Sequence, residues 1–419
     1  QSVQQQQAQA DRFKELEEFL AVYRKVKLSY VDKVDDKQLM EGAIQGMLAS
    51  LDPHSAFLDK SDFSSLQTQI DGEYGGLGLT VTLEDEAVKV IAPTKDTPAD
   101  KAGIKSGDFI THLDGKLIIG GTLDEAVEAM RGVPGTSIKL TIFRPGRDAP
   151  FDVTVTRAVI DLKPVRWEVK NRIGVISITG FSEQTGADVV AAVSGIKKSL
   201  GGNPLGYIID LRSNPGGILD EAVSVSDAFL SSGEIVSERG RDKSDIQRWW
   251  AERAVPGDVT GGAPIIVLVD AGSASASEIV AGALQDHHRG LVMGERSFGK
   301  GSVQSVLPLT RDTGLRLTVA RYHLPSGRSV QEGGIKPDVR VPQLTDPDYK
   351  KRVSVRESDL RRHLVNELKD NSKDLEEDRI DDPRFAMTAE QLKAKGIDDF
   401  QLYYAMETLQ RLGSKTMKL

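Results

Sequence analysis

A turn of small residues between a buried strand and a helix is the feature that most constrains this chain. The segment Val269-Asp-Ala-Gly-Ser-Ala-Ser-Ala-Ser-Glu-Ile-Val280 follows an apolar run and leads into an apolar helical pattern. Small side chains let a substrate backbone approach closely, and the free N–H groups of a helix start favour a developing oxyanion. The turn therefore offers Ser273, Ser275 and Ser277 as candidate nucleophiles, although serine is also a common helix N-cap.

A serine nucleophile needs a base, and two candidates follow the turn. His287 and His288 offer imidazoles, but they end an apolar helix, where cationic side chains favour the helix dipole. Lys300 lies in the segment Gly294-Glu-Arg-Ser-Phe-Gly-Lys-Gly-Ser302. A lysine base must be neutral, so burial has to lower its ordinary pKa of about 10.4 by several units. A catalytic lysine and a solvated surface lysine both stay open on this pattern alone.

Composition and spacing exclude several other classes of protein. The 419 residues contain no cysteine, so thiolate nucleophiles and Cys-ligated zinc are excluded, and the six histidines include no His-Glu-x-x-His helix. The net charge of −8 disfavours a nucleic-acid partner. No apolar run approaches the roughly 18 to 20 residues of a membrane span. The near match to a phosphate-binding P-loop fails at Gly301, where Ser or Thr should hold magnesium.

Two further glycine-rich stretches could present backbone N–H groups to a ligand. In Asp210-Leu-Arg-Ser-Asn-Pro-Gly-Gly217, a strand runs into a turn whose glycines could serve as an oxyanion hole or form an ordinary strand-to-helix turn. In Gly75-Gly-Leu-Gly-Leu79, successive N–H groups could bind a carboxylate, and the strand that follows offers an edge to a peptide.

Periodicity predicts four regions along the chain. Apolar residues at helical spacing predict helices over residues 11–26 and 36–51, the second ending before Pro53. One helix, Leu123 to Met130, opened by Thr122, and five short strand-like runs predict a small β-barrel between residues 72 and 157. The runs are Leu77 to Leu83, Ala87 to Ala92, Asp108 to Leu113, Ser137 to Phe143 and Phe151 to Arg157. Strands alternating with helices after Pro164 predict a mostly parallel, two-sided sheet, with strands at Ile173 to Ile178, Gly206 to Leu211 and Pro264 to Val269. The charged tail, with Leu360, Leu364 and Leu368 at a spacing of four and a further apolar stretch from Phe400 to Leu412, predicts more helices.

Taken together, these stretches resemble the carboxyl-terminal processing proteases, also called tail-specific proteases. The resemblance covers about residues 40–342 and keeps the order of the motifs. Its motifs are Tyr74-Gly-Gly-Leu-Gly-Leu79, Pro98-Ala-Asp-Lys-Ala-Gly-Ile-Lys-Ser-Gly-Asp108, Asp210 to Gly217, Ser273-Ala-Ser-Ala-Ser-Glu278 and Phe298-Gly-Lys-Gly-Ser-Val-Gln304. It implies a multidomain α/β fold, with a PDZ domain inserted in an α/β serine-protease core and helical N- and C-terminal regions.

The resemblance also implies the roles of individual residues. Ser275 is expected as the nucleophile, Lys300 as the general base and Gln304 as the residue that orients the lysine. The oxyanion hole would use the N–H of Ala276 with one from Gly216 or Gly217. Substrate would bind the PDZ loop formed by Gly76, Leu77, Gly78 and Leu79. The implied reaction is peptide hydrolysis through an acyl-enzyme, with neither a metal nor a cofactor.

For the whole chain, the resemblance predicts a helical region at 1–68, a PDZ domain at 69–158, a protease core at 159–345 and a helical region at 346–419. Both helical ends are expected to mediate assembly into a dimer or a larger homo-oligomer. Substrates would be proteins or peptides with accessible C-termini, including extracytoplasmic proteins such as cell-wall hydrolases. A lipoprotein adaptor is a further expected partner, since some relatives use one. The expected location is the periplasm, with the signal peptide absent from this chain because it has been removed.

Two other functions remain open at this point. A non-catalytic PDZ scaffold would have lost Ser275 or Lys300, and both are present. An acyl-transferring, crotonase-like enzyme would require a thioester cofactor, and no adenine-nucleotide motif points to one.

Overall fold

The computed structural model describes residues 3–84, 86–242, 244, 246–252, 257–347, 349, 355–367, 382 and 384–416, with side chains from 14 to 412 within these ranges. The helices are α1 (Val3–Ser29), α2 (Asp36–Ala49), α3 (Lys60–Asp71), α4 (Pro98–Lys101), α5 (Leu123–Met130), α6 (Thr185–Leu200), α7 (Leu219–Asp227), α8 (Ala276–Asp286), α9 (Ala389–Ala394) and α10 (Phe400–Thr416). No helix in these ranges is long and apolar enough to cross a membrane.

The strands form two six-stranded sheets, one five-stranded sheet and one pair within the described ranges. They are β1 (Ala56–Leu58), β2 (Glu73–Gly76), β3 (Leu79–Glu84), β4 (Ala87–Pro93), β5 (Phe109–Leu113), β6 (Lys116–Leu117), β7 (Ser137–Phe143), β8 (Phe151–Thr156), β9 (Ala158–Asp161), β10 (Val165–Lys170), β11 (Ile173–Ile178), β12 (Gly206–Asp210), β13 (Gly233–Arg239), β14 (Ile246–Ala251), β15 (Ile265–Val269), β16 (Gly290–Gly294), β17 (Ser302–Pro308), β18 (Gly314–His323) and β19 (Val339–Arg340).

The central sheet has the order β10-β11-β12-β15-β16-β19. Strand β10 is antiparallel to β11, and the strands from β11 to β19 are parallel to one another. All five residues of β15 are buried, as expected for a strand covered on both faces. Helices α6, α7 and α8 contribute to the core on one face, and α9 and α10 to the core on the other. The two-sided parallel sheet predicted from the sequence is therefore confirmed.

The small β unit between residues 77 and 156 has the strand order β3-β4-β5-β7-β8 and its own buried core. All five predicted strand runs are present, and α5 has the predicted bounds. Thr122 caps α5: its hydroxyl accepts from the Glu125 N–H and its own N–H donates to the Glu125 carboxylate. Strand β3 lies at the end of its sheet, so one of its edges is open.

The third sheet, in the order β1-β18-β13-β14 with β17 also paired to β18, joins distant parts of the chain. Strand β1 follows α2 and was not predicted. It pairs with β18, so that Ala56 lies opposite Arg316. Strand β17 pairs with β18 on the other side, so that Gln304 lies opposite Thr318. The segment after α2 is thereby fixed beside the strand that follows Lys300.

The helix predicted through Leu360 and Leu364 is wrong for the described residues. A short 3₁₀ turn covers Glu357–Asp359, and residues 360–367 contain no α-helix; Leu368 lies outside the described residues. Backbone groups of this segment bond elsewhere, since the Glu357 N–H donates to the Phe298 carbonyl and the Leu364 carbonyl accepts from Gln331. Tertiary contacts therefore outweigh the leucine spacing. The predicted helix near the C-terminus is confirmed as α10.

Candidate active site

Ser275 occupies a strained backbone position immediately before α8. Its φ of 55° and ψ of −113° lie in a region that non-glycine residues rarely adopt. Hydrogen bonds hold this conformation: its N–H donates to Glu278 Oε2 at 2.8 Å, and its carbonyl accepts from the N–H groups of Glu278 and Ile279 at 2.8 and 3.0 Å. Such strain persists only where surrounding contacts enforce it, and it is concentrated at functional sites.

The three candidate serines have different environments. Ser273 and Ser277 are fully buried, and their hydroxyls donate to the carbonyls of Leu211 and Asn214 at 2.8 and 2.9 Å. These two serines thus tie the turn to the loop after β12. Ser275 is the one of the three that lines an open cleft. The structure therefore favours Ser275 among three serines that their spacing in the sequence could not distinguish.

The cleft has a volume of about 750 Å³ and contains most of the residues expected in the site. The residues that line the cleft include Ser275, Ala276, Gly217, Lys300 and Gln304. Its walls also carry apolar side chains, contributed by Leu66, Ile70, Phe181, Ile218, Ile279, Val303 and Val306. The cleft therefore combines an apolar surface with a few polar groups, as ligand sites commonly do.

Burial lowers the pKa of the Lys300 ammonium, and the positive charge of Arg316 lowers it further. The carboxylates of Glu357, Glu278 and Asp52 act in the opposite direction, but the pKa remains below its usual value. No hydrogen bond to Lys300 Nζ is found in the described part of the chain. A lysine held in this way loses its proton more readily than a solvated one.

Gln304 lies on β17 and faces the same cleft, but its amide contacts other residues. Its Nε2 donates to Ser302 Oγ at 2.9 Å and to Thr318 Oγ1 at 3.3 Å. Among the described residues, no hydrogen bond joins Gln304 to Lys300. The structure thus brings the two side chains to one cleft without joining them.

The two glycines after β12 make close backbone approaches that only glycine permits. A Cβ on Gly216 would lie 2.8 Å from the Ser275 Cβ, and its φ is 101°. A Cβ on Gly217 would lie 2.1 Å from the Phe181 carbonyl oxygen. The Gly216 N–H donates to Asn214 Oδ1 at 2.9 Å. No acceptor is found for the N–H of Gly217 or Ala276 within the described ranges.

Glu278 is the residue that the sequence analysis missed. It is fully buried, and burial raises its pKa to about 7 even though hydrogen bonds from Ser297, Ser275, Gly299 and Lys300 lower it. Its Oε1 accepts from Ser297 Oγ and the Gly299 N–H at 2.6 and 2.7 Å. Its Oε2 accepts from the Ser275 and Lys300 N–H groups at 2.8 and 2.9 Å. The Ser-x-x-Glu spacing of a capping box was the signal that could have found it.

The alternative imidazole bases lie at the far end of α8. His287 is the C-cap of this helix, and its Nε2 is 2.7 Å from the Glu234 carbonyl oxygen. Twelve residue steps at 1.5 Å each place it roughly 18 Å along the helix from Ser275. This position agrees with the capping interpretation of His287.

The loop at residues 76–79 directs its carbonyl groups into the small β unit. The carbonyls of Leu77 and Gly78 accept from the N–H groups of Ala99 and Thr94 at 2.9 and 2.8 Å. No acceptor is found for the N–H of Leu77 or Gly78 among the described residues. Gly78 has a φ of 77°, and a Cβ there would lie 2.4 Å from Thr97 Cβ. Backbone amides arranged in this way suit a carboxylate.

Comparison with known proteins gives a consistent match. The model of peptidase family S41 matches residues 172–341, a PDZ domain model matches 75–155, and the model of the activating protease CtpB N-terminal domain matches 1–62. The carboxy-terminal-processing protease of Bartonella bacilliformis is 49% identical over 354 residues, which are 84% of this chain and 81% of that protein. The carboxy-terminal processing protease CtpA of Bacillus subtilis is 36% identical over 78% of this chain and 69% of its own length.

Replacing Glu278 by Gln should reduce proteolytic activity at least tenfold, because an amide N–H₂ cannot accept from the N–H groups that the carboxylate now binds. Unfolding should also require about 1–3 kcal/mol less free energy, since buried donors lose their acceptor. Casein cleavage and thermal unfolding measure the two effects. The control is Glu168→Gln, which removes an exposed pair with Lys170 and should change neither quantity. Full activity in a folded Glu278→Gln protein would show that the site does not depend on the Glu278 carboxylate.

Proposed function

Because the chain belongs to the family of carboxy-terminal processing proteases, which are serine peptidases, we propose that it cleaves peptide bonds with a Ser275–Lys300 dyad. The observation that carries the proposal is the buried Glu278 carboxylate, one oxygen of which binds the backbone N–H of both residues. Ser275 and Lys300 line the same cleft, and burial lowers the pKa of the lysine toward the range of a usable base.

In the proposed reaction, Lys300 Nζ takes the proton of the Ser275 hydroxyl as its oxygen attacks the substrate carbonyl. The C–N bond then breaks, and Lys300 returns the proton to the leaving amine. A water molecule, deprotonated by Lys300, then attacks the acyl carbonyl; the bond between this carbon and Ser275 Oγ breaks, and Lys300 returns the proton to Oγ. The N–H groups of Ala276 and Gly217 would stabilise the oxyanion; Gly217 is favoured over Gly216, whose N–H already binds Asn214. Gln304 would orient the lysine.

The PDZ domain is proposed to bind the C-terminus of the substrate. The N–H groups in the loop from Gly76 to Leu79 would receive the terminal carboxylate, and the open edge of β3 would pair with the peptide backbone. The inward-facing carbonyls of this loop support the proposal, because the N–H groups of the same peptides then face outward, where they can bind an anion.

The wider biological role is a proposal that rests on family resemblance. The substrates would be extracytoplasmic proteins, including cell-wall hydrolases, and the location would be the periplasm. Assembly into homo-oligomers through the helical ends at 1–68 and 346–419 is supported by exposed apolar residues on α1, such as Leu16, Phe19 and Val22. A lipoprotein adaptor is a further proposed partner. The remaining proposed regions are the PDZ domain at 69–158 and the protease core at 159–345.

The dyad is tested by cleavage of casein with the wild type, Ser275→Ala and Lys300→Ala. We expect both variants to lose at least about 10³-fold in rate while remaining folded, since nucleophile and base act as one unit. The control His288→Ala, at an exposed position beyond the end of α8, should retain activity. An inactive Ser275→Ala protein beside an active Lys300→Ala protein would show that another group is the base.

The pH dependence follows from two titrating groups. Activity should rise with pH as Lys300 loses its proton, and it should level off below the ordinary lysine pKa of about 10.4 because burial lowers the pKa of Lys300. A second inflection near pH 7 should report Glu278, whose pKa is about 7 and whose ionised form accepts all four donors. The inflection near pH 7 should be absent from Glu278→Gln. A wild-type profile that rises only above pH 10 would contradict a buried lysine base.

Recognition of chain ends is tested with two peptides that differ only at the C-terminus. A peptide with a free carboxylate should bind or be cleaved at least tenfold better than the same peptide with a terminal amide, since loss of a charged hydrogen bond costs about 1.5–3 kcal/mol. Fluorescence anisotropy on the Ser275→Ala protein measures binding without turnover. Equal affinity for both peptides would argue against the carboxylate site.

A further inference from the structure

The turn that follows α2 lies outside the cleft, yet it is bonded to the strands that carry the site. In this turn, Asp52 is only 4% exposed. Its Oδ1 accepts from the N–H groups of His54 and Ser55, both at 2.8 Å, and from Thr318 Oγ1 at 3.1 Å. Its Oδ2 accepts from Ser55 Oγ at 2.8 Å. The turn therefore presents a carboxylate with fixed geometry to β18.

Thr318 links this carboxylate to Gln304. Strand β18 lies between β1, which directly follows the turn, and β17, which carries Gln304. Thr318 lies opposite Gln304 in the β17–β18 register, and Gln304 Nε2 is 3.3 Å from Thr318 Oγ1. Asp52, Thr318 and Gln304 thus form a continuous hydrogen-bonded chain that ends at the wall of the cleft.

The chemistry of the three side chains decides which group donates and which accepts in each of these hydrogen bonds. An ionised Asp52 only accepts hydrogen bonds, and a threonine hydroxyl has a single proton to donate. Hydrogen bonds from Ser55, His54 and Thr318 outweigh the effect of burial and keep the pKa of Asp52 below its usual value, so it is ionised near neutrality. Thr318 therefore donates to Asp52 and can only accept from Gln304. Gln304 must then direct its N–H₂ toward Thr318 and its Oε1 away.

We propose that Asp52 is a positioning residue of the peptidase site, which acts through Thr318 to orient the Gln304 amide so that its Oε1 can accept an N–H of Lys300. When the neutral Lys300 amine donates one N–H to Gln304, the orientation of its Nζ is fixed. The lone pair of Nζ can then point toward the hydroxyl proton of Ser275. The inference rests on the proposed Ser-Lys mechanism and adds a residue from the N-terminal part of the chain.

A second series of hydrogen bonds runs from the same turn to Gly301, the residue that follows Lys300. His54 Nε2 lies 2.8 Å from the fully buried Glu357 carboxylate, which accepts from Gln331 Nε2 at 3.0 Å. Gln331 Oε1 in turn accepts from the N–H of Gly301 at 2.9 Å. The turn is thereby connected to the residue after Lys300 as well as to Gln304, which supports a role in positioning this loop.

The test compares Asp52→Ala and Thr318→Val with the wild type in casein cleavage. Alanine removes the acceptor for Thr318, so the Thr318 hydroxyl can donate to Gln304 Oε1 and the Gln304 amide can flip; asparagine would not have this effect, because its oxygen would stay with the N–H groups of His54 and Ser55 and still accept from Thr318. Both variants should lose about tenfold in kcat, the equivalent of one hydrogen bond, with KM changed less than twofold. Thr318→Ser keeps the hydroxyl and should retain wild-type kcat. Thr318→Val leaves the bonds within the turn intact, so it separates positioning from folding of the turn.

The matched control is Asp35→Asn, in the same region of the chain. Asp35 Oδ1 caps α2 by accepting from the Gln38 N–H at 3.0 Å, and asparagine is an equally good N-cap. This variant should keep wild-type kcat and melting temperature. A loss of activity in Asp35→Asn equal to that in Asp52→Ala would overturn the proposal, because any disturbance of the N-terminal part would then suffice.

A double-mutant cycle with Gln304→Ala decides whether Asp52 acts through Gln304. We expect Asp52→Ala to have no additional effect on kcat in the Gln304→Ala background. The same tenfold loss in both backgrounds would overturn the proposal, as would a folded Asp52→Ala protein with wild-type kcat. The rate at which a fluorophosphonate labels Ser275 gives a second readout. If the wild type neither cleaves casein nor is labelled, the proposed function fails. If Ser275→Ala and Lys300→Ala are inactive while the Asp52 and Thr318 variants keep wild-type kcat, only the positioning role fails.

Discussion

The buried carboxylate of Glu278 is the interaction on which the geometry of the site depends. It is fully buried, yet its two oxygens accept four hydrogen bonds from the turn that carries Ser275 and the loop that carries Lys300. A carboxylate in such an environment is tolerated only when its oxygens are bonded, since an unpaired buried charge is strongly unfavourable. The turn that carries Ser275 and the loop that carries Lys300 are thus held by one group, whose oxygens are fully bonded only when both segments are in place.

The parallel sheet supplies the frame for this interaction. Strands β12, β15 and β16 are neighbours and run in the same direction, so the loops after their carboxyl ends meet at one edge of the sheet. Asn214 follows the first strand, and its carbonyl accepts from the Ala274 N–H and the Ser277 hydroxyl in the loop after the second. The loop after the third carries Lys300. Candidate nucleophile, oxyanion donors and base therefore meet although they are far apart in sequence.

Much of the fold could be predicted because its periodicity is strong. The bounds of α5 and of β11 were predicted to the residue, since a capping threonine and a continuous apolar run mark them clearly. Helix α3 was missed, because it has no buried residue and contains several Ser and Thr, so its apolar pattern is weak. Helix formation at 360–367 was wrongly predicted, because buried contacts of Glu357 and Gln331 fix that backbone in another form.

For the site, the order of amino acids was enough to predict the residue types and their neighbours: three serines among small residues before a helix, and a lysine between glycines after a strand. The choice among these candidates depended on contacts that form only in the folded chain. The hydroxyls of Ser273 and Ser277 are taken by carbonyls of a loop from another strand, which leaves Ser275 in the cleft. Likewise, the lowered pKa of Lys300 comes from burial and from Arg316, a residue of β18. Hydrogen bonds and electric fields act through space, so linear spacing cannot encode which distant groups meet.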